Sequence, residues 1–416
     1  MPSLLSLIPE VFVSTGVDAV LPQQGTAPGV ADLFVDSAAR IHRAAAGIWP
    51  QETVVLERHV PSVTGYVHRV RVGERFLYAK TSVLGVSLVS LLRGAGGPWQ
   101  KVRREQEAYV RRPDCLLARE AEQLRTLALM DRPRVCAVAG FRQGVLFTEP
   151  VPGPTLGELL LTRPGDTLEL LAFPFAELRS LHRPGASRRL GAGGVIGERS
   201  IGGTFLRKFN GLSGAAYVNQ LGAERLERGV RESVAEMIRR SVARLRGLRM
   251  AVPGAEGTTL AYGDLKPEHV LFPDGPDGRP VLLDPGLLRT SPMADVAKLV
   301  SRTVLLLAAH RPGGAAVDQI VRGIDAFVES RAQSCRERAL WHRLVLTLWL
   351  MDTVNILSTY LSAPAALPLP PAGTMLVNRA LHVCCLVDSA SEALADQKTK
   401  RHAWELALMH VRAAGS

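Results

Sequence analysis

Two short segments near the middle of the chain place carboxylates on loops that directly follow apolar runs. Residues 260–262 (Leu-Ala-Tyr) are followed by a glycine and Asp264, and residues 281–283 (Val-Leu-Leu) are followed by Asp284 and a Pro-Gly pair. A short apolar run ended by Gly, Pro or Asp indicates a strand ended by a turn. The pattern therefore predicts two short strands, each holding an aspartate at a fixed position in one site.

The side chains near these aspartates are of the kinds that phosphoryl transfer from ATP requires. That reaction needs a carboxylate near the attacking hydroxyl, ligands for Mg²⁺ and cations that hold the phosphates. Asp264 meets the first need, and Asp284 offers the hard oxygen that Mg²⁺ prefers. His269, five residues after Asp264, is expected to point into the same site.

The same region resembles the catalytic and metal-binding loops of the protein-kinase-like superfamily, particularly its aminoglycoside-phosphotransferase branch. The resemblance rests on three motifs in order and at close range. They are G-D-L-K-P-E-H at 263–269, L-L-D-P-G at 282–286 and S-P-M-A-D-V-A-K-L at 291–299. It implies an enzyme, an ATP-dependent kinase acting on an alcohol group, with ATP and Mg²⁺ as its cofactors.

The resemblance also implies a role for each motif residue. Asp264 would be the catalytic base, and Lys266 would contact the transferred phosphate, as the matching lysine does in Ser/Thr protein kinases. His269 and Asp284 would be the metal ligands. Asp295 would be a buried anchor for the catalytic loop.

Two residues depart from the family's usual pattern. Tyr262 stands where His is usual, at a position that mostly supports the loop. His269 replaces the usual metal-binding Asn, and imidazole is a softer and more directional ligand than an amide oxygen. Two alternatives follow: a pseudokinase that acts as a docking module for a partner enzyme, or an active enzyme, since macrolide phosphotransferases are active members with His at this position.

The N-terminal part carries residues that resemble the lysine and glutamate of a nucleotide cradle. Lys80 ends a predicted strand and resembles the lysine that binds the α- and β-phosphates. Its predicted partner is Glu120 rather than Glu122, because apolar residues follow Glu120 at the offsets that turn a helical side chain inward. The side chains of Lys80, Asp264, His269 and Asp284 are therefore expected to converge between two lobes.

The remaining nucleotide contacts are expected from a hairpin and from a connector. No G-x-G-x-x-G motif is present; instead Ser62, Thr64 and Gly65 would offer hydroxyl and backbone N–H groups to the phosphates. The connector that follows the sheet resembles a kinase hinge, which would read adenine through backbone groups at Glu149 and Val151. His182, in an L-x-x-L-H segment, is expected to be structural rather than catalytic.

The order of predicted elements divides the chain into three regions. Residues 1–50 form a helical extension, residues 51–150 a nucleotide-binding N-lobe, and residues 151–416 a helical C-lobe that contains the catalytic loop and an inserted basic segment, 184–257. This order predicts an α+β, two-lobed protein-kinase-like fold with a small antiparallel-sheet N-lobe and a large, mainly helical C-lobe.

Individual elements are predicted from apolar periodicity and turn residues. Helices are predicted at 30–49 and 114–130, and a highly charged helix at 222–249. The predicted strands are 54–56, 66–72, 76–80, 135–138 and 145–148. The last two are expected to flank a turn at Gly140.

The formal net charge is +11, and the inserted segment is especially rich in arginine. A cationic aminoglycoside would be repelled there, so a neutral or acidic acceptor is expected; the alternative is a solvated helix face with local ion pairs. One acceptor is a Ser or Thr hydroxyl of a precursor peptide in ribosomal-peptide (lanthipeptide-type) biosynthesis, with a lyase partner protein. Residues 78–94 resemble kinase-like enzymes of such pathways. The alternative is a small-molecule antibiotic kinase of macrolide-phosphotransferase type.

Composition argues against several other classes of protein. Aromatic residues make up 5% of the chain, which is little for stacking on nucleic acid, and the five cysteines form no C-x-x-C pair. No signal peptide is recognised, and the apolar stretch 344–361 carries Asp352 and Asn355 in its middle, as a buried helix would. We expect a cytoplasmic protein without a nucleic-acid or membrane partner.

Overall fold

The computed structural model describes residues 27–190, 196, 200–248, 259–332, 335–400 and 402–415. Within these residues the chain forms a two-lobed α+β fold, with a five-stranded antiparallel sheet in the N-lobe and a helical C-lobe. The predicted fold class is confirmed. Residues 1–26 of the predicted extension, and residues 191–195, 197–199 and 249–257 of the predicted basic segment, lie outside the described residues.

The N-lobe sheet has the strand order β1-β2-β3-β5-β4, with each neighbouring pair antiparallel. The strands are β1 (Val54–Val60), β2 (Tyr66–Val72), β3 (Arg75–Thr81), β4 (Val138–Arg142) and β5 (Val145–Thr148). Helix α1 (Val30–Ile48), in the region predicted as a helical extension, packs against the sheet, and α2 (Leu88–Leu92) and α3 (Trp99–Tyr109) follow β3. A fourth helix, α4 (Leu116–Ala128), precedes β4.

Alternation along β3 decides which helix each of its side chains faces. Leu77 and Ala79 are buried in the cluster that the sheet forms with α1. The side chain of Lys80, the residue after Ala79, points to the opposite face of the sheet, because successive side chains of a strand alternate between the two faces. Leu146, its partner on β5, is buried in the cluster with α4. The sheet is thus sandwiched between α1 and α4, and Lys80 lies on the α4 side.

The turn between β4 and β5 lies further along the chain than predicted. It is formed by Gln143 and Gly144, which have φ of 51° and 75°, the left-handed pair that a two-residue hairpin requires. Gly140 lies inside β4 at a register shift. A Cβ there would meet Ile48 Cδ1 at 3.0 Å, so this glycine permits the close approach of the end of α1 rather than a turn.

The C-lobe surrounds two long, buried helices, α11 (Met293–His310) and α13 (Cys335–Leu361). The other helices are α5 (Leu156–Thr162), α6 (Thr167–Glu177), α7 (Ala186–Arg189), α8 (Ile201–Phe209), α9 (Gly211–Asn219), α10 (Arg228–Leu248), α12 (Gly314–Glu329), α14 (Pro371–Asn378), α15 (Ala380–Ala395) and α16 (Ala403–Gly415). Two short hairpins hold the motif loops. One pairs β6 (Leu260–Ala261) with β9 (Leu288–Arg289), and the other pairs β7 (Val270–Leu271) with β8 (Val281–Leu282).

Two C-lobe helices differ in start or burial from what their sequences suggest. The charged helix α10 begins at Arg228 rather than near residue 222, because Gly222 has φ of 70° and lies within the turns at 220–225. Among the described residues one helical segment, Arg338–Leu361, is long and apolar enough to cross a membrane, but 83% of its apolar window is buried inside the fold. It forms part of the core of the C-lobe.

Candidate active site

The loop that carries Asp264 is held by a buried carboxylate on α11. Asp295 is fully buried and accepts hydrogen bonds from the backbone N–H groups of Tyr262 (2.7 Å) and Gly263 (2.8 Å). His182 Nε2 lies 3.0 Å from the same carboxylate. Two charge-assisted bonds to consecutive N–H groups fix the loop backbone immediately before Asp264. Asp295 therefore anchors the loop, and His182 supports the anchor.

The Asp264 and Asp284 loops are joined backbone to backbone at a glycine. Gly286 N–H donates to Tyr262 O at 2.8 Å. Gly263 has φ of 85°, and a Cβ on it would lie 1.9 Å from Gly286 O. Only glycine can occupy this position without moving one loop away from the other. The two aspartates are thereby held in fixed relative positions.

Two lysines contact the Asp264 carboxylate, one on each oxygen. Lys266 Nζ lies 3.2 Å from Oδ2 and Lys298 Nζ lies 3.0 Å from Oδ1. Burial by itself would raise the pKa of Asp264, but these two ammonium groups hold it well below its usual value. Asp264 is consequently ionised at neutral pH and points into a strongly cationic environment.

Asp284 and Glu120 share the ammonium group of Lys80. Lys80 Nζ lies 2.9 Å from Glu120 Oε1 and is also in direct contact with Asp284 Oδ1. Burial raises the pKa of Glu120 to about 7. Burial would also raise that of Asp284, but Lys80 holds it at about 2. Because two carboxylates compete for one cation, the better-paired one stays ionised and the other takes up a proton more readily.

Asp284 has a backbone conformation that few side chains adopt. Its φ is 52°, in the left-handed region, where Asp and Asn are tolerated better than other non-glycine residues. This conformation occurs where β8 ends and the chain turns back toward the Tyr262 loop. Such outliers are typical of sites where the surrounding structure imposes a functional geometry.

His269 lies between the two aspartates. Its Nε2 is 3.4 Å from Asp284 Oδ2 and its Nδ1 is 3.9 Å from Asp264 Oδ2. Burial lowers the pKa of His269 to about 4, so the imidazole is neutral at pH 7. Its Nδ1 is buried and has no hydrogen-bond partner among the described residues. The imidazole therefore has a nitrogen that no protein group uses.

These donors fit a magnesium ion that takes most of its ligands from outside the protein. No group of three or more His, Cys, Asp or Glu in the described part of the chain forms a closed metal site. Mg²⁺ commonly binds one or two carboxylates and completes its octahedron with phosphate oxygens and water. Asp284 can supply the carboxylate oxygen, and Nε2 of His269 lies 3.4 Å from that carboxylate, whereas the unpaired Nδ1 faces Asp264.

The residues of the predicted phosphate hairpin and hinge have other contact partners. Ser62 Oγ and Thr64 Oγ1 lie 3.3 Å from each other, in the loop between β1 and β2, and a Cβ on Gly65 would meet Thr81 O at 3.0 Å. The Glu149 side chain pairs with Arg75 at 2.5 Å, and its backbone N–H donates to Ala137 O at 3.0 Å. Val151 packs against the apolar cluster under α4. The structure therefore brings together Lys80, Glu120, Asp264, Lys266, His269 and Asp284.

Lys298 is a site residue for which the sequence predicts no role. It lies in the quoted S-P-M-A-D-V-A-K-L motif, three residues after Asp295, so helical periodicity places both side chains on one face of α11. That offset is the signal that could have identified it. Arg302, one turn further along, is paired with the buried Asp352 at 2.8 Å.

Two cavities among the described residues are lined by none of these side chains. One, of about 510 Å³, is bordered by α1 and α3 and lined by Arg40, Arg43, Glu107, Val110, Arg111 and Gln143. The other, of about 400 Å³, lies between α15 and α16. At the aspartates themselves, Lys80 and Asp284 are in contact.

The inserted basic segment uses many of its arginines inside the C-lobe. Arg240 and Arg244 of α10 both pair with Asp388 of α15, at 2.5 and 2.6 Å. Arg225 donates to three carbonyl oxygens in the segment that follows α13, and Arg239 contacts Glu236. This part of the positive charge is neutralised or hydrogen-bonded locally and is not directed at Asp264.

Comparison with known proteins gives similarities of structure alone. No protein-family model matches the sequence, and no curated protein matches it. The structure is similar to the GDP and kanamycin complex of APH(2")-IIia, with a TM-score of 0.45 and 13% identity over 76% of this chain and 90% of that chain. For aminoglycoside phosphotransferase APH(4)-Ia the TM-score is 0.45 and the identity 13%, over 85% and 98%.

A further similar structure is a choline/ethanolamine kinase family protein from Mesorhizobium loti. Its TM-score is 0.41 and its identity 14%, over 86% of this chain and 93% of that chain. Values this low identify neither a substrate nor a family, so the roles of the site residues are argued from the geometry of this chain.

Proposed function

We propose that the protein is an ATP-dependent phosphotransferase, a kinase that transfers the γ-phosphate of ATP to a hydroxyl group. The observation that carries this proposal is the set of direct contacts that joins Lys80, Glu120 and Asp284 on one side to His269 and Asp264 on the other. These residues come from four separate parts of the chain. Their types are those that phosphoryl transfer requires.

In this proposal each side chain has one task. Asp264 accepts the proton of the acceptor hydroxyl as the new oxygen–phosphorus bond forms and the bond between the γ-phosphorus and the bridging oxygen breaks, which releases ADP. Lys266, beside Asp264, neutralises the transferred phosphoryl group. Lys80, held by Glu120, binds the α- and β-phosphates. A bound Mg²⁺ would neutralise charge on the phosphates, and Asp284 with His269 would hold it.

The proposed adenine and phosphate contacts complete the nucleotide site. Backbone groups at Glu149 and Val151 would read adenine from the connector that follows β5. Ser62, Thr64 and Gly65 would cover the phosphates from the β1–β2 hairpin. The position of the hairpin supports this role, because β2 pairs with β3, the strand that carries Lys80.

The acceptor that this site favours is neutral or acidic, because Lys266 and Lys298 surround Asp264 with positive charge. A Ser or Thr hydroxyl of a lanthipeptide-type precursor peptide is one such acceptor, with a lyase partner acting on the phosphorylated product. A small neutral antibiotic of macrolide type is the alternative. Incubation of each acceptor with the protein and Mg-ATP, followed by mass spectrometry for the gain of one phosphoryl group, distinguishes the two.

The proposal is tested by replacing the proposed base. Asp264→Asn should lower Mg²⁺-dependent ATP turnover about 10²–10⁴-fold, because it removes a positioned proton acceptor. The circular dichroism spectrum should be unchanged. Asp277→Asn is the matched control, since Asp277 is 84% exposed and pairs only with Arg163, at 3.7 Å, in the described structure.

The competing function is a pseudokinase that docks a partner enzyme, and the observation that favours it is the imidazole of His269 beside Asp284, since Mg²⁺ prefers oxygen ligands. A pseudokinase would show neither turnover nor Mg²⁺-dependent binding of ATP. Unchanged turnover in Asp264→Asn would contradict the assignment of the base. No turnover in the wild-type protein would contradict the kinase proposal as a whole.

A further inference from the structure

Helix α11 holds the Asp264 loop at two points, through residues one turn apart. Asp295 accepts hydrogen bonds from the loop backbone, and Lys298 contacts the side chain of Asp264 at 3.0 Å. An offset of three residues puts both on one helix face. Because α11 is buried along most of its length, the ammonium group of Lys298 is attached to a rigid support.

The two lysines that contact Asp264 differ in the other partners that each can bind. Lys266 lies on the motif loop, two residues from Asp264, and its proposed partner is the transferred phosphate. Lys298 has one ion-pair partner in the described part of the chain, Asp264 Oδ1. The next cation on the same helix face, Arg302, is already paired with Asp352. When Lys266 turns to the phosphate, Lys298 is the cation that remains on Asp264.

We propose that Lys298 is a positioning residue for phosphoryl transfer. It holds Oδ1 of Asp264, which turns Oδ2 toward the acceptor hydroxyl and frees Lys266 for the phosphate. This inference rests on the proposed function, since it assigns Asp264 as the base. Lys298 acts through Asp264 and has no role in holding the nucleotide.

The test uses the full-length protein with Mg-ATP and water as the acceptor, so no acceptor need be known. Lys298→Met keeps the aliphatic stem and removes the charge, and kcat for ATP hydrolysis should fall about 10- to 100-fold, because a misplaced catalytic group loses rate on this scale. The dissociation constant for Mg-ATP should stay within about threefold, which is less than 1 kcal/mol. Lys298→Arg keeps the charge and should recover most of the loss.

A control variant and a double variant distinguish the positioning of Asp264 from a general effect of removing a lysine. Lys101→Met is the matched control, since Lys101 is 56% exposed and its partner is Glu105 of the same helix; its kcat should equal that of the wild type. If Lys298 acts through Asp264, the double variant Asp264→Asn with Lys298→Met should be no slower than Asp264→Asn alone. Lys298→Gln repeats the test if the Met variant loses its circular dichroism signal.

Three outcomes would overturn the inference. One is an unchanged kcat in Lys298→Met. Another is a weaker Mg-ATP affinity that accounts for the whole loss. The third is an additive loss in the double variant, which would show that Lys298 acts on a group other than Asp264. The wild-type rate decides the proposed function separately, because a wild type without Mg²⁺-dependent hydrolysis contradicts that function and, with it, the inference.

Discussion

At the scale of single residues, the site depends on backbone positions that ordinary side chains cannot occupy. Gly263 has φ of 85° and lies against Gly286 O, while Asp284 has φ of 52°. The first removes a clash between two loops, and the second turns a carboxylate toward Lys80. Both are local features, and both matter because they fix the relative positions of Asp264 and Asp284.

A glycine pair tests this directly. Gly263→Ala places a Cβ 1.9 Å from Gly286 O, whereas Gly275→Ala, at a similar φ of 88°, meets nothing within 4 Å. The left-handed backbone should lower the free energy of unfolding by about 1–2 kcal/mol in either variant. Gly263→Ala should lose about 1–3 kcal/mol more, as a strained backbone position does. Urea denaturation measures both, and equal losses would contradict the close contact.

At the scale of elements, Lys80 and Glu120 tie β3 to α4. Glu120 is 14% exposed and pairs with Lys80 at 2.9 Å, whereas Glu122, two residues on, is exposed. The apolar residues of α4, Leu117, Ala121 and Leu124, pack under the sheet and set the rotation of the helix. The direction of Glu120 is therefore decided by the burial of its neighbours.

Two glutamate variants distinguish the effect of the Lys80–Glu120 ion pair from a general effect of substitution in α4. Glu120→Gln removes the negative charge that Lys80 contacts, and the amide oxygen can accept only a weaker hydrogen bond, so ATP turnover should fall about tenfold. Glu122→Gln, in the same helix, should leave turnover unchanged. Steady-state kinetics with Mg-ATP measures both. If the two variants behave alike, Glu120 does not position Lys80.

At the scale of the whole molecule, the two lobes meet at side chains as well as at the connector. Lys80 of the N-lobe contacts Asp284 of the C-lobe. Arg93, after α2, donates to Gln220 at 2.7 Å and lies 4.8 Å from the centre of the Tyr217 ring. A nucleotide bound between the lobes would add its own contacts to both, so it should stabilise the molecule as a unit.

Thermal unfolding tests this at the level of the whole chain. Mg-ATP at 100 times its dissociation constant should stabilise the folded protein by about 2.7 kcal/mol and raise Tm. The rise should be smaller without Mg²⁺, and Asp284→Asn should remove the Mg²⁺-dependent part, because it weakens the proposed metal ligand. Differential scanning calorimetry measures these shifts. A rise in Tm that is the same with and without Mg²⁺ would contradict the proposed metal site.

Much of the fold could be predicted from the sequence because its signals are local. The two-lobed α+β class follows from strands of period two, helices of apolar periodicity and turn residues between them. Asp264, Lys266 and His269 lie within five positions of one another, and Asp284 follows in the next motif, so the sequence predicts that they share one site. The inward direction of Glu120 likewise follows from the spacing of its neighbours along α4.

The tertiary structure alone decided what depends on partners far apart in the chain. Lys298 contacts Asp264, which lies 34 positions away in the sequence. Arg240 and Arg244 of α10 are neutralised by Asp388, about 145 positions away. The sequence predicts the turn at Gly140, but Gly140 is a glycine because Ile48 packs closely against it. The turn itself is formed by Gln143 and Gly144. The sequence shows which side chains are charged and where the glycines are. The contacts that these residues make depend on which distant atoms the fold brings within a few ångströms of them.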